Sequence, residues 1–213
     1  MAKQKKHKKQ SQARGIMGRS DIPYAQRIKM QQTSEIVINR EHAAMVTLYC
    51  MSVAMNELEG IGYKRLINFS FRYKEYEDEF YEDIEVGMAR AKRRMDQMGM
   101  PISGEFFADK VDGLTKRKQE VHNHSLQAIQ IALIVGAVAM NDEFGFGQER
   151  QTKISERVTE LTDRYSKEGE KFLLEKMEKI GFPIIDGRAM AYTDGNGNAI
   201  TKKQWRDANG QKT

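Results

Sequence analysis

The sequence predicts an all-α protein: two tandem, pseudo-symmetric helix-turn-helix units forming one bundle, with a disordered basic N-terminal arm and a small C-terminal β-hairpin. Three observations predict it. Residues 53–65 read Val-Ala-Met-Asn-Glu-Leu-Glu-Gly-Ile-Gly-Tyr-Lys-Arg, and residues 138–150 read Val-Ala-Met-Asn-Asp-Glu-Phe-Gly-Phe-Gly-Gln-Glu-Arg. Seven of these thirteen positions are identical at an offset of 85, where chance gives roughly one. A second block repeats at an offset of 82: Met-Asp-Gln-Met-Gly-Met-Pro-Ile at 95–102 against Met-Glu-Lys-Ile-Gly-Phe-Pro-Ile at 177–184. Finally, only three prolines interrupt 213 residues, so long helices can run unbroken.

The elements follow in order. Residues 1–32 are rich in Lys, Gln, Arg and Ser without apolar periodicity, and read as a disordered arm. Thr33 or Ser34 is placed to cap the first helix. Its apolar residues Ile36, Ala43, Val46, Met51, Met55 and Leu58 keep mostly helical spacing up to Gly60-Ile61-Gly62. A second helix spans about 63–98 with one bend near 82–87, and Gly99 and Pro101 close it. These two helices make the first unit, residues 33–102. The connection, 103–124, holds a short helix around 106–114. The second unit, 125–185, repeats the plan: Asn123 or Ser125 caps a helix through Asn141, Gly145-Phe146-Gly147 turns the chain, and a helix over about 148–180 ends at Gly181 and Pro183. In 186–213, turn residues between two short strand-like runs over 189–201 signal the hairpin, followed by a polar tail.

Composition narrows the class. Hydrophobic residues make 39% and charged residues 31%, the balance of a soluble, helix-rich chain. A lone cysteine, Cys50, excludes an internal disulfide framework and a Cys-rich zinc site; in its apolar surroundings it reads as a buried, inert thiol. The most apolar stretch, 129–140, is too short for a bilayer and reads as a core helix, so no membrane partner is expected. No apolar run follows the charged N-terminus as a secretory leader requires, which predicts a cytoplasmic protein.

Charge is unevenly spread. The first twenty residues carry Lys3, Lys5, Lys6, Lys8, Lys9, Arg14 and Arg19 and no acid. Removing those seven from the 35 basic residues leaves 28 against 30 acids, so the body is near neutral. Clustered lysines attract a nucleic-acid backbone, or any acidic surface, with strong salt dependence. No aromatic is interleaved among them, so base stacking is not implied.

The two glycine turns resemble the helix-hairpin-helix, a small nucleic-acid-binding element with a Gly-hydrophobic-Gly turn, over about 20 residues per copy. The resemblance implies that Gly60 and Gly62 bring backbone close to a phosphate, with Lys64 and Arg65 adding charge. Glycines permit that approach, and a helix start offers unpaired N–H groups and a positive dipole end. Leu66 and Gln151 stand where that family has a small residue, and Asp142, Glu143 and Glu149 crowd the second turn with negative charge. The alternative is a glycine-mediated corner that only packs two helices. The Phe144-Gly-Phe-Gly-Gln-Glu-Arg150 run also resembles small helical proteins of phages of Gram-positive bacteria, which implies a bacterial host cytoplasm but no mechanism.

Other groupings point less far. Glu75, Glu79 and Asp83 share a helical face, and with Glu156, Glu160 and Asp163 they sketch a magnesium site of nucleotide-hydrolase type, though with incomplete spacing. A solvated acidic face accounts for them more simply. His122 and His124 read as surface residues. Asp194-Gly-Asn-Gly-Asn198 resembles a calcium loop, but Ala199 and Trp205 stand where a glycine and a bidentate glutamate belong. The expectation is a non-enzymatic nucleic-acid-associated protein with no cofactor. A protein–protein adaptor or inhibitor is the alternative, and a magnesium-dependent nucleotide hydrolase comes third.

Overall fold

The computed structural model describes residues 24–101, 112–192, 200 and 202–208, with side chains from Thr33 onward in the first helix. The described elements are α1 (Tyr24–Glu59), α2 (Tyr63–Glu82), α3 (Ile84–Gln97), α4 (Lys116–Phe144), α5 (Gln148–Glu168), α6 (Glu170–Ile180), the strands β1 (Ile184–Ile185) and β2 (Arg188–Ala189), and α7 (Lys202–Ala208). Among the described residues the fold is all-α apart from one antiparallel pair, in which Ile184 faces Ala189 and Ile185 faces Arg188.

α1 and α4 form the centre, and their contact is the most extensive among the described elements. They run side by side in parallel: Glu35 pairs with Arg117 near the two starts, and Met51 packs over Gly136 further along. A Cβ on Gly136 would meet the Met51 Sδ and Cε atoms, so the Met51 side chain fills the space this glycine leaves. Around them, α5 and α6 pack on α1, while α2 and α3 pack on α4. A helix with neighbours on several sides buries residues around its circumference. Accordingly Val46, Tyr49, Cys50, Met51, Val53 and Ala54 are all buried on α1, as is every residue from Ile134 to Met140 on α4. The outer helices bury a single stripe each, such as Leu66, Phe69, Tyr73 and Phe80 on α2. α4 is long and apolar enough to cross a membrane by length and composition, with 56% of its apolar window buried inside the body.

Several boundaries differ from the sequence reading. α1 begins at Tyr24, so Thr33 and Ser34 lie inside a helix rather than capping it; residues 24–35 are mostly good helix formers that carry no apolar stripe. The rest of the arm, residues 1–23, lies outside the described residues. α4 begins at Lys116, where the Thr115 hydroxyl accepts a 3.4 Å hydrogen bond from the Lys118 amide. His122 and His124 are therefore half-buried helical residues, not part of a connection. The short helix expected at 106–114 falls mostly outside the described residues, and its described end, 112–114, is not helical.

Both long second helices break. α2 gives way to α3 at Asp83, whose carboxylate accepts from the Glu85 and Val86 amides at 3.1 Å, within the bend expected at 82–87. α5 gives way to α6 at Gly169 (φ 80°), where no break was expected. The closing glycines behave as predicted. The Met100 amide donates to Met95 O (2.9 Å) beyond Gly99, and the Phe182 amide donates to Met177 O (3.1 Å) beyond Gly181. The hairpin expected over 189–201 has its turn outside the described residues, although the Ile200 amide donates to Tyr192 O (2.8 Å) across it; the described strand pair is a separate hairpin just before it. It turns at Asp186-Gly187, where both residues have positive φ (50° and 73°), as a tight primed turn requires. The 194–198 stretch lies outside the described residues, and α7 occupies part of the expected polar tail.

One buried group invites a stability test. Gln151 is 2% exposed; its amide donates to Ala137 O (3.0 Å) and Phe146 O (2.8 Å), but its Oε1 has no partner among the described residues. The equivalent position in the first motif is Leu66, fully buried. An orphaned buried acceptor costs about 1–3 kcal/mol. Phe146 O keeps a second donor, Asn141 Nδ2 at 3.1 Å. Gln151→Leu is therefore expected to raise stability by about 1 kcal/mol, since the removed acceptor outweighs the lost bonds. Urea denaturation reads this directly, and a clear loss of stability would contradict it.

Candidate nucleic-acid interface

The two Gly-hydrophobic-Gly turns have the same local construction. In the first, Gly60 takes φ 64° and its amide donates to Asn56 O (3.1 Å), while the Asn56 side chain donates to Ile61 O (3.0 Å). In the second, Gly145 takes φ 67°, its amide donates to Asn141 O (2.8 Å), and the Asn141 side chain donates to Phe146 O (3.1 Å). The repeated asparagine thus ties the turn back to the helix it leaves, and the first glycine supplies the left-handed conformation. Ile61 and Phe146 are buried at 3% and 2% exposure and anchor the turns. Gly62 and Gly147 then open α2 and α5 in extended conformation, with no side chain capping either helix.

Gly60, Gly62, Lys64 and Arg65 are all exposed, and no Cβ on either glycine would meet an atom within 4 Å. The Gly60 and Ile61 amides are used internally, to Asn56 O and Met55 O. The Tyr63 and Lys64 amides in the first turn of α2 have no hydrogen-bond partner among the described residues. Any anion contact at this turn therefore falls to the start of α2, from Gly62 onward, rather than to the Gly60 and Ile61 amides. Lys64 has no ion-pair partner among the described residues, and Arg65 lies over the Phe144 ring at 4.9 Å.

The second turn is electrically quenched. Arg150 lies 5.4 Å from the Phe146 centroid and 3.8 Å from the Glu59 carboxylate. Glu149 sits in the first turn of α5, paired with Lys153 at 2.8 Å. The other sequence-predicted contacts, Lys3, Lys5, Lys6, Lys8, Lys9, Arg14 and Arg19, lie outside the described residues.

Sequence reasoning missed the ion pairs that cross between the repeats. Glu57 on α1 binds Arg157 on α5 (2.7 Å) and Lys176 on α6. Asp142, its counterpart at the offset of 85, binds Arg94 on α3, the counterpart of Lys176 at the offset of 82, and accepts from the Tyr76 hydroxyl. Likewise Arg65 reaches Phe144, while Arg150 reaches Glu59, the position equivalent to Phe144. Aligning the two blocks shows these charges, but only the packing shows that they pair across units.

Burial of Glu57 opposes its ionisation, yet the hydrogen bonds from Lys176 and Arg157 outweigh that and hold its carboxyl below its ordinary range. A carboxyl lowered in the folded state stabilises above its unfolded pKa, and that contribution is lost as pH falls through the folded pKa. Glu57→Gln should thus cost up to about 1 kcal/mol at neutral pH, with the difference from wild type vanishing in acid. Paired denaturation curves at several pH values test it; a pH-independent difference would assign the effect to packing.

Four of the six carboxylates named for magnesium are engaged otherwise, Glu160 with Arg157 among them. Asp83 caps α3, Glu75 pairs with Arg72 (2.8 Å), and Glu79 with Arg90 (3.4 Å). No grouping of three His, Cys, Asp or Glu able to hold a metal occurs among the described residues. Cys50 is fully buried, and burial pushes its thiol up to about 11, so it stays protonated and unreactive.

The comparisons with known proteins add no family. No family model, curated protein or solved structure matches the chain.

Proposed function

We propose that this chain is a non-enzymatic, nucleic-acid-associated binding protein, phage-encoded and acting in a bacterial cytoplasm, which holds phosphate backbone through its lysine-rich arm. The concentration of seven cations and no acid in residues 1–20, ahead of a near-neutral body, carries this reading. The start of α2 is its second contact, with exposed glycines, two unpartnered amides, and Lys64 and Arg65 on the adjoining turn. The second turn, already paired with its own acids, contributes less.

The finer architecture belongs to the same proposal. The body is a duplicated helix-turn-helix unit arranged about a pseudo-twofold axis that runs along α1 and α4. Supporting it, Met51 and Gly136 are equivalent positions in mutual contact, and the pairs Glu57–Lys176 and Asp142–Arg94 exchange partners reciprocally. That is the pattern a twofold generates.

A salt titration with single- and double-stranded DNA and RNA tests the function. Neutralising Lys3, Lys5, Lys6, Lys8 and Lys9 should lower the slope of log affinity against log salt by about four units, at 0.7–0.9 per lost phosphate contact. Lys64→Glu should weaken binding further while shifting stability by under about 0.5 kcal/mol. Binding that keeps its slope without the arm would move the interface to the body. A protein partner would become the better reading if no nucleic acid binds at low salt, with exposed Val37 and Ile38 on α1 as its first contact to test.

A further inference from the structure

The repeat is not symmetric everywhere, and one departure lies at a cavity. Between α2, α3 and α4 lies a half-open cavity of about 410 Å³. At the offset of 82, Ala91 on its wall corresponds to Leu173, a larger side chain on α6 that is 1% exposed. Arg90 corresponds to half-buried Phe172, and Arg93 to Glu175. Where the second unit places large apolar side chains, the first places a small residue and two cations.

The lining divides by chemistry. Phe80, Ala91, Val135 and Val138 give an apolar floor, and Gly87 packs its backbone against Phe80 with no room for a Cβ. Three guanidinium groups, on Arg90, Arg93 and Arg94, stand around it with Gln97 and one carboxylate, Glu79. Arg94 is committed to Asp142, and Arg90 is held only by an exposed pair to Glu79 at 3.4 Å. Arg93 has no ion-pair partner among the described residues. The cavity falls within the size range of small-molecule sites, which are largely apolar with a few placed polar groups. Guanidinium forks match phosphate oxygens in pairs.

We infer that this cavity is a nucleotide site: the base lies on the Phe80, Val135 and Val138 floor, and a 5′-phosphate is held by Arg93 and Arg90. The choice of a nucleotide over other anionic aromatics rests on the nucleic-acid reading above; the cavity and its charge do not. A free nucleoside monophosphate and the phosphorylated end of a strand share this chemistry.

Calorimetry on the full chain tests it with adenosine and uridine 5′-monophosphates, the two nucleosides, inorganic phosphate, and a short oligonucleotide with and without a 5′-phosphate. A monophosphate is expected to bind at least about tenfold tighter than its nucleoside or phosphate alone, since both halves of the site are then used. Preference for the phosphorylated oligonucleotide over the monophosphate would name a strand end as the source, and the reverse a free nucleotide. Ala91→Leu copies the second unit's leucine and should abolish binding without unfolding the protein. Arg93→Glu alters an exposed position and should weaken binding by about tenfold or more even if Ala91→Leu does not fold. No binding of any monophosphate at millimolar concentration overturns the proposal, as does equal affinity in both variants. Binding of an acidic aromatic peptide in place of nucleotides overturns the ligand class.

The two readings fail separately. The arm neutralised at its five lysines should keep nucleotide binding, whereas Ala91→Leu should keep the arm's salt-sensitive binding.

Discussion

Residues 24–101 produced alone are expected to lose cooperative monomeric folding altogether. The reason lies in which helices pack together. α1 is covered by α4, α5 and α6, and α2 by α4, so the first unit finds its burial partners in the second. Removing the second unit exposes Val46, Met51, Val53 and Met55, each 7% exposed or less, along with Leu66 and Phe69 on α2. At about 1.5–3 kcal/mol per large apolar side chain, the loss is on the order of 10 kcal/mol, as large as the whole stability of a typical domain. The fragment should be unfolded or self-associated by circular dichroism and sedimentation, and addition of residues 112–213 should restore a folded complex. Self-association has its own obstacle. Under the proposed pseudo-twofold, two copies of residues 24–101 would set Met51 against Met51 where the native pair is Met51 and Gly136, so Met51→Gly should favour the fragment homodimer. A sharp, monomeric unfolding transition in the isolated fragment would sink this account.

How much of this was legible follows from what each signal encodes. The motif repeat located both glycine turns and both closing glycines, because those positions need particular backbone conformations that few residues accept. The apolar stripes located the outer helices, which each bury one face. The start of α1 was not legible, since residues 24–35 are helix formers without an apolar pattern, and N-cap residues at 33–34 gave a false beginning. The sequence reading misses the tight turn at Asp186-Gly187 between Ile184-Ile185 and Arg188-Ala189, because the glycine-rich 194–198 stretch draws the hairpin signal to itself. For the candidate site, the exposure of Gly60, Gly62, Lys64 and Arg65 agrees with the turn's composition. The engagement of the Gly60 and Ile61 amides does not follow from sequence. It arises because the same turn must first close α1, and that requirement uses those donors internally. The cavity beside α3 was equally hidden: Ala91 against Leu173 means little until the proposed pseudo-twofold axis sets the two helices side by side for comparison.

Phe69→Ala is expected to be the most damaging single core substitution in the first unit, at about 3–5 kcal/mol. Phe69 is fully buried on α2 and stacks on Phe144 of α4, with centroids 6.2 Å apart and planes inclined by 28°. It also meets Tyr73 at 6.3 Å. Truncation therefore opens a void between α2 and α4 and withdraws the support under the ring on which Arg65 lies. Phe69→Leu should recover most of the loss, leaving a deficit under about 1.5 kcal/mol, because it keeps much of the volume. Phe71, two residues on and 48% exposed, supplies the control; Phe71→Ala should shift stability by no more than about 0.5 kcal/mol. Urea denaturation with an unchanged dependence on denaturant would show that the native state alone has been weakened. Equal losses from Phe69→Ala and Phe71→Ala would mean that the α2–α4 contact is not where the first unit is held. The dependence of each unit on the other would then have to be sought along α1 and α4 alone, with Gly136→Ala, which forces Met51 aside, as the substitution that reads it.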